Sequence, residues 1–321
     1  MKLIRSLLVL LLLALLQTPA LAQQWPVKPV RLLIPYPPGG SGEILGRPLA
    51  QKLTELWGQP VVLDFRPGAG GTIATEIVAK AAPDGYTIIM VLAAHAINAS
   101  LYAKLPYDTL RDFTPVSLVA SLPLIVVTPP SVPANSIKEL IALAKAKPGS
   151  INFASAGNGN TSHLAGELFK SVAGVDMVHV PYKGSGPSLI ALLGGEVQLM
   201  FDSISSSLPH VKAGKLKALA VTGSKRSHVM PQLPTVAESG LPEFIVDGWY
   251  SILAPAGTPP AIVNKISADI ARAMQFPETR ERIMASGYDI IGSTPEQFGA
   301  HLRREVERWA KVVKASGARI D

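Results

Sequence analysis

Short runs of β-branched and aliphatic residues alternate along the chain with longer stretches in which apolar residues recur every three or four positions. The short runs cover residues 30–34, 61–63, 87–91, 124–127, 151–154, 178–180, 199–201 and 217–221, and each reads as a strand. Helical periodicity fills most of the gaps, beginning near Ile44, Ile73, Ile137, Leu164, Leu189 and Ile262. This alternation is the signature of βαβ units around a mostly parallel sheet, so the fold class is α/β. Ser136 followed by Glu139 predicts a capping box, and Thr294-Pro295-Glu296-Gln297 predicts a helix with Pro at its first position. Beyond it Phe298, Leu302, Val306, Trp309 and Val313 share one apolar stripe with charges between them. A long final helix is therefore expected to pack that stripe on the body of the fold.

Two proline-rich stretches interrupt the alternation. Residues 121–133 hold Pro123, Pro129, Pro130 and Pro133, and residues 242–260 hold Gly248, Trp249, Pro255, Gly257, Pro259 and Pro260. Both read as hinges or linkers. If both are crossings between lobes, lobe one is discontinuous, residues 25–122 plus 248–321, and lobe two is residues 123–247. No internal repeat is present.

The first residues bear on compartment. Lys2 and Arg5 precede an unbroken apolar run over residues 7–16, and Ala20 and Ala22 supply the small residues of a cleavage site. The run is shorter than the roughly 20 residues that a spanning helix needs, so residues 1–22 are expected to be a signal peptide and the mature chain periplasmic. The chain has no cysteine. That excludes disulfides, a lipid on a cleavage-site cysteine, thiolate metal ligands and cysteine nucleophiles. The formal charge of +7 falls to +5 once Lys2 and Arg5 leave. The remaining basic residues are scattered rather than arranged in a stripe with aromatics between them, which argues against nucleic-acid binding. A mild positive balance still favours the approach of anions.

The candidate chemistry lies in four glycine- and serine-rich loops at strand-to-helix junctions: residues 37–42, 66–72, 155–162 and 183–186. Helix N-termini carry unpaired N–H donors and partial positive charge, and glycine lets a ligand reach the backbone, so such loops suit a carboxylate or a phosphate. No loop reads Gly-Lys-Ser/Thr, and Ser162 stands where a dinucleotide fingerprint needs its last glycine, so no nucleotide is indicated. No serine has glycine two residues before and after, no His-Glu-x-x-His occurs, and the six histidines are dispersed. No catalytic residue, metal site or cofactor is expected. His163, at a helix start, either donates to a ligand oxygen or is an ordinary first-turn histidine. Asp202 either accepts from a ligand or caps the next helix.

With these loops in view the chain closely resembles the Bug, or TctC-like, substrate-binding proteins of tripartite tricarboxylate transporters. The resemblance runs from Trp25 to Asp321. It rests on Pro35-Tyr36-Pro37-Pro38-Gly39-Gly40, Arg66-Pro67-Gly68-Ala69-Gly70-Gly71, Pro83-Asp84-Gly85-Tyr86, Leu105-Pro106-Tyr107-Asp108, His163-Leu164-Ala165-Gly166-Glu167, Val180-Pro181-Tyr182-Lys183-Gly184, Lys212-Ala213-Gly214-Lys215 and Pro234-Thr235-Val236-Ala237-Glu238. It implies a two-lobed Venus-flytrap protein that closes on a small carboxylate, such as an amino acid, a di- or tricarboxylate or an aromatic acid. The cargo then passes to a permease of one large and one small integral membrane subunit. By position, Gly39, Gly40, Ser41 and Gly42, with Tyr36 beside them, are the expected carboxylate clamp. Thr161, Ser162, Lys183, Gly184, Ser185, Asp202, Ser203 and Ile204 would face it, with His163 as a further candidate. The chain departs from the family at Gly42-Glu43, where Thr-Asp is common, at Phe65, where Asn is common, and at Ser203-Ile204-Ser205, where Asn-Leu-Pro is common. A monomer is expected. Two alternatives stand beside transport: a sensor that presents its closed form to a signalling receptor, and a periplasmic enzyme using Asp202 or His163 as base.

Overall fold

The computed structural model describes residues 25–316 and 319–320. The expected signal peptide lies outside the described residues. In chain order the elements are β1 (Val30–Ile34), α1 (Ser41–Trp57), β2 (Val61–Phe65), α2 (Thr72–Ala79), β3 (Thr87–Leu92), α3 (Ala94–Leu101), β4 (Phe113–Thr128), α4 (Ile137–Ala146), β5 (Asn152–Ser155), α5 (Thr161–Ala173), β6 (Val178–Pro181), α6 (Ser185–Leu193), β7 (Leu199–Ser203), α7 (Ile204–Lys212), β8 (Lys217–Val221), β9 (Asp247–Pro255), α8 (Pro260–Ala273), α9 (Pro277–Ala285), β10 (Asp289–Ile290) and α10 (Pro295–Ser316).

The strands run β2-β1-β3-β9-β4-β7-β5-β6, with β8 and β10 also paired to β4. Two parallel groups, β2-β1-β3 and β7-β5-β6, are joined through antiparallel β9 and β4. The sheet is thus parallel in each lobe and antiparallel where the lobes meet. Alternate residues of β1 and β3 face opposite layers: Leu32, Ile34, Ile88 and Met90 pack with Leu45 and Leu49 of α1, whereas Leu33, Ile89 and Val91 join the core that holds Ile97 of α3 and Trp309 of α10. Helices cover both faces, as expected for near-continuous apolar parallel strands.

The proline-rich stretches are the largest difference from the sequence reading. Residues 121–128 are the second part of β4, and residues 247–255 of the second stretch are β9. Up to Pro123, β4 lies against β9; from Leu124 it pairs with β7 and β8. The ladder between β4 and β9 is irregular, its register shifting between Pro115 and Ser117 and between Leu118 and Ala120. Between the shifts Ser293 packs against β4, its Oγ accepting from Leu118 N–H at 2.9 Å and its carbonyl from the Ser117 hydroxyl at 2.8 Å. At Gly248 a Cβ would lie 2.7 Å from the Leu122 carbonyl oxygen, so glycine is what lets β9 close on β4.

The expected caps form. Ser136 Oγ accepts from Glu139 N–H at 3.1 Å, while the Glu139 carboxylate reaches Asn135 N–H at 2.8 Å instead of returning to Ser136. Thr294 and Gln297 make the reciprocal pair at 3.0 and 3.3 Å. Phe298, Leu302, Trp309 and Val313 are buried along α10.

Candidate functional site

Five strand-to-helix junctions open on one cleft. Gly40, Ser41 and Gly42 begin α1, Ala93 precedes α3, Asn160 and Thr161 begin α5, Ser185 begins α6 and Ser203 precedes α7, and all of these line the cleft. Tyr36, Pro37, Leu92, Leu124, Ala156, Gly248, Trp249 and Tyr250 complete the wall. The cleft therefore lies beyond the C-terminal ends of the parallel strands, where α/β sheets hold their ligands. Among the described residues no charged side chain lines it. The first N–H groups of each helix have no intrahelical acceptor and carry the positive end of the macrodipole, so an anion is met by backbone rather than by lysine or arginine.

Gly40 is the N-cap of α1 with extended backbone and no side-chain cap. The usual cap is replaced from within the helix: Glu43 accepts from Gly39 N–H at 2.7 Å and is paired with Arg47. Those two bonds hold its carboxyl below its ordinary range. Glu43 is thus spent on its own loop. At Gly42 a Cβ would meet Ile34 Cγ2 at 3.3 Å, so a side chain there would head into the core. Phe65, at the end of β2, lines a groove elsewhere, with Arg47 and Leu63.

Ser41 joins a buried hydroxyl cluster. Its Oγ accepts from Tyr250 at 2.6 Å and from Ser203 at 3.1 Å, and its carbonyl accepts from Tyr288 at 2.6 Å. Ser205 lies 3.3 Å from the Tyr288 hydroxyl. Burial raises the Tyr250 phenol to about 12 and also holds Tyr288 well above its ordinary value, so both are neutral donors. Tyr36 is also pushed up by burial and donates to the Gly70 carbonyl at 3.2 Å.

On the facing side, Ser162 turns inward, its Oγ accepting from Ala156 N–H at 2.9 Å and donating to Asn160 Oδ1 at 3.0 Å. His163 accepts at Nδ1 from Gly159 N–H at 3.3 Å and stacks on His179 at 4.0 Å. Burial lowers both rings, His179 to about 3, so they are neutral. Asp202 is buried and accepts from Ser185 and Ser207, each at 2.7 Å. Burial outweighs these bonds and raises its carboxyl to about 6.

Among the sequence-derived candidates, the structure brings Tyr36, Gly40, Ser41, Gly42, Thr161, Ser185 and Ser203 to the cleft wall. Gly39, Ser162, His163, Lys183, Gly184, Asp202 and Ile204 lie off it. Lys183 is exposed; Ile204 is in the core. A Cβ on Gly184 would lie 2.6 Å from Pro37 Cγ. The loop 66–72 stays off the cleft, and its Gly70, like Gly159 of the loop 155–162 that also lines the cleft, serves close contact. A Cβ on Gly70 would sit 2.7 Å from the Asn158 carbonyl oxygen, and one on Gly159 would sit 2.7 Å from Asn98 Oδ1. These glycines let the two halves touch. Sequence reasoning missed Leu92, Ala93, Leu124, Trp249 and Tyr250. The signal was the aromatic pair beside Gly248, obscured by reading that stretch as a linker.

An uncharged cleft between two α/β halves, entered by helix N-termini, defines a two-lobed solute-binding protein of the periplasmic type. The sequence model of the tripartite tricarboxylate transporter family receptor, TctC, matches residues 45–318. BugT of Bordetella pertussis is 40% identical over 304 residues, covering 94% of this chain and 93% of that protein. The structure of R. palustris Rpa4515 with adipate superposes with a TM-score of 0.89 at 37% identity, covering 92% of this chain and all of that one. MatC from Rhodopseudomonas palustris with bound malate gives 0.86 at 34% identity, covering 90% of this chain and all of that one. The chain belongs to the tripartite tricarboxylate transporter receptor family.

Proposed function

We propose that this protein captures a small organic carboxylate in the cleft and presents the closed form to a tripartite permease. The observation that carries the reading is the convergence of five helix starts on a cleft without a charged side chain. Such a wall neutralises one carboxylate by backbone dipoles, and Leu92, Leu124 and Trp249 give the carbon skeleton an apolar surface. The adipate and malate held by relatives are of this class. The two candidate bases support binding over catalysis, since Asp202 sits behind Ser185 and His163 faces His179.

The lobes in this reading are residues 25–122 with 248–321 and residues 123–247, joined by β4 and β9. Ligand contacts made by both lobes shift a hinge equilibrium toward closure. The leader-like start of the sequence and the family both support a periplasmic site of action, with membrane subunits as partners. Isothermal titration of the mature chain with carboxylates, followed by recovery of the ligand, tests the proposal. Saturation at one ligand per chain with the ligand returned unchanged is expected. Turnover of the ligand would contradict it.

A further inference from the structure

Ser41 and Ser185 meet the cleft with opposite hydrogen-bonding polarity. Ser41 Oγ already accepts from Tyr250 and Ser203, so its own proton is left to donate, next to the free N–H groups of α1. Ser185 does the reverse. Its hydroxyl gives its proton to Asp202 Oδ1 at 2.7 Å, and its oxygen has only lone pairs left for the cleft. Asp202 is 1% exposed, is bonded on its other oxygen by Ser207 at 2.7 Å, and among the described residues no cation pairs with it. A deprotonated ligand oxygen at Ser185 Oγ meets lone pair against lone pair, whereas a hydroxyl or ammonium finds an acceptor.

Building on the carboxylate reading above, we propose that Asp202, acting through Ser185, selects carboxylates that carry a hydrogen-bond donor over the same skeleton without one. The cargo class is then a hydroxy or amino acid, with one carboxylate at the α1 side and the hydroxyl or ammonium at Ser185. Asp202 is a positioning residue, and Ser185 is the group that touches ligand. Sites built to hydrogen-bond a ligand hydroxyl reject the analogue that lacks it strongly.

Calorimetric titration of the mature chain at pH 8 with three matched sets tests this: succinate, malate and aspartate; glutarate, 2-hydroxyglutarate and glutamate; benzoate and 4-hydroxybenzoate. In whichever set binds, the donor-bearing member should bind at least about tenfold tighter. Asp202→Asn turns an amide N–H toward Ser185 and frees its proton, so that ratio should fall to within about threefold. Ser185→Ala, at a half-buried position, is the second variant and should collapse the ratio in the same way. Equal affinity within every binding set in the unmodified chain overturns the inference. So does an Asp202→Asn variant that weakens all members alike and keeps the ratio, since that is what a purely structural role would give. If no set binds, the carboxylate reading itself falls and takes this one with it.

Discussion

At Gly40 an added Cβ would meet nothing nearer than the Pro37 carbonyl oxygen at 3.9 Å, and the backbone lies at φ −93°, ψ 174°, open to any residue. Gly40→Val is therefore tolerated by the fold and places its methyl groups in the cleft. The expected result is loss of ligand binding by at least about a hundredfold, roughly 3 kcal/mol, with the melting temperature of the free protein unchanged within about 2 °C. Calorimetry and thermal unfolding check the two halves of that statement. Asp202 gives a prediction in pH. Its folded carboxyl titrates at about 6, above its ordinary 3.8, so the folded chain binds the extra proton between those values. The stability this provides is full below the ordinary carboxylate range and is lost as pH rises through about 6, by on the order of 3 kcal/mol. Urea unfolding of Asp202→Asn should lack this fall between pH 4 and pH 7; parallel profiles would contradict it. At this scale the sequence offered candidate polar residues and could not show where they point. Asp202 and Ser185 were both legible as polar residues after strands, yet only the fold reveals that one stands behind the other.

The helix α10 is fastened to the cleft by one buried carboxylate. Glu305 Oε2 accepts from the Trp249 indole at 2.9 Å and from the Trp309 indole at 3.1 Å, while Arg308 pairs with Oε1 at 3.3 Å. Trp249 is therefore held in the wall from a helix far along the chain. Glu305→Ala leaves two buried indole N–H groups without acceptors and should cost about 2–4 kcal/mol in chemical denaturation; Glu305→Gln keeps one acceptor and should cost less than half as much. An equal loss for both would mean that charge, not hydrogen bonding, is what matters there. The apolar stripe of α10 was visible in the sequence as period-3.6 spacing, because a helix face repeats locally. The use of Glu305 was not, since it depends on a partner 56 positions away. The same limit hid β9, whose prolines and glycines resemble a linker until β3 and β4 supply pairing on both sides.

Taken whole, the molecule is two parallel groups of strands joined through two long antiparallel strands, and glycines with no room for a side chain stand where the two halves touch. Gly70 is one of these, off the cleft wall but against the Asn158 carbonyl. Gly70→Ala should hold the lobes apart and lower ligand affinity about tenfold or more, beyond the local strain of about 1–2 kcal/mol for alanine at φ +62°. Small-angle scattering should show the unmodified chain contracting on ligand addition and the variant contracting less; the same contraction in both would contradict this role. The alternation of strands and helices made the α/β class readable, and the glycine loops located the cleft's rim. Their division of labour, between receiving an anion and letting the lobes meet, required the tertiary contacts.

If helix N-termini rather than a cation receive the carboxylate, the protein distinguishes an acid from its amide. Thermal unfolding of the mature chain with each of a panel of small organic acids and, in parallel, the matching primary amides measures that difference. A ligand at a hundred times its dissociation constant adds about 2.7 kcal/mol to the native state. At least one acid should raise the melting temperature, its amide should not, and Gly40→Val should abolish the shift. Equal shifts with acid and amide, or shifts only with sugars or phosphates, would contradict carboxylate capture by the helix N-termini.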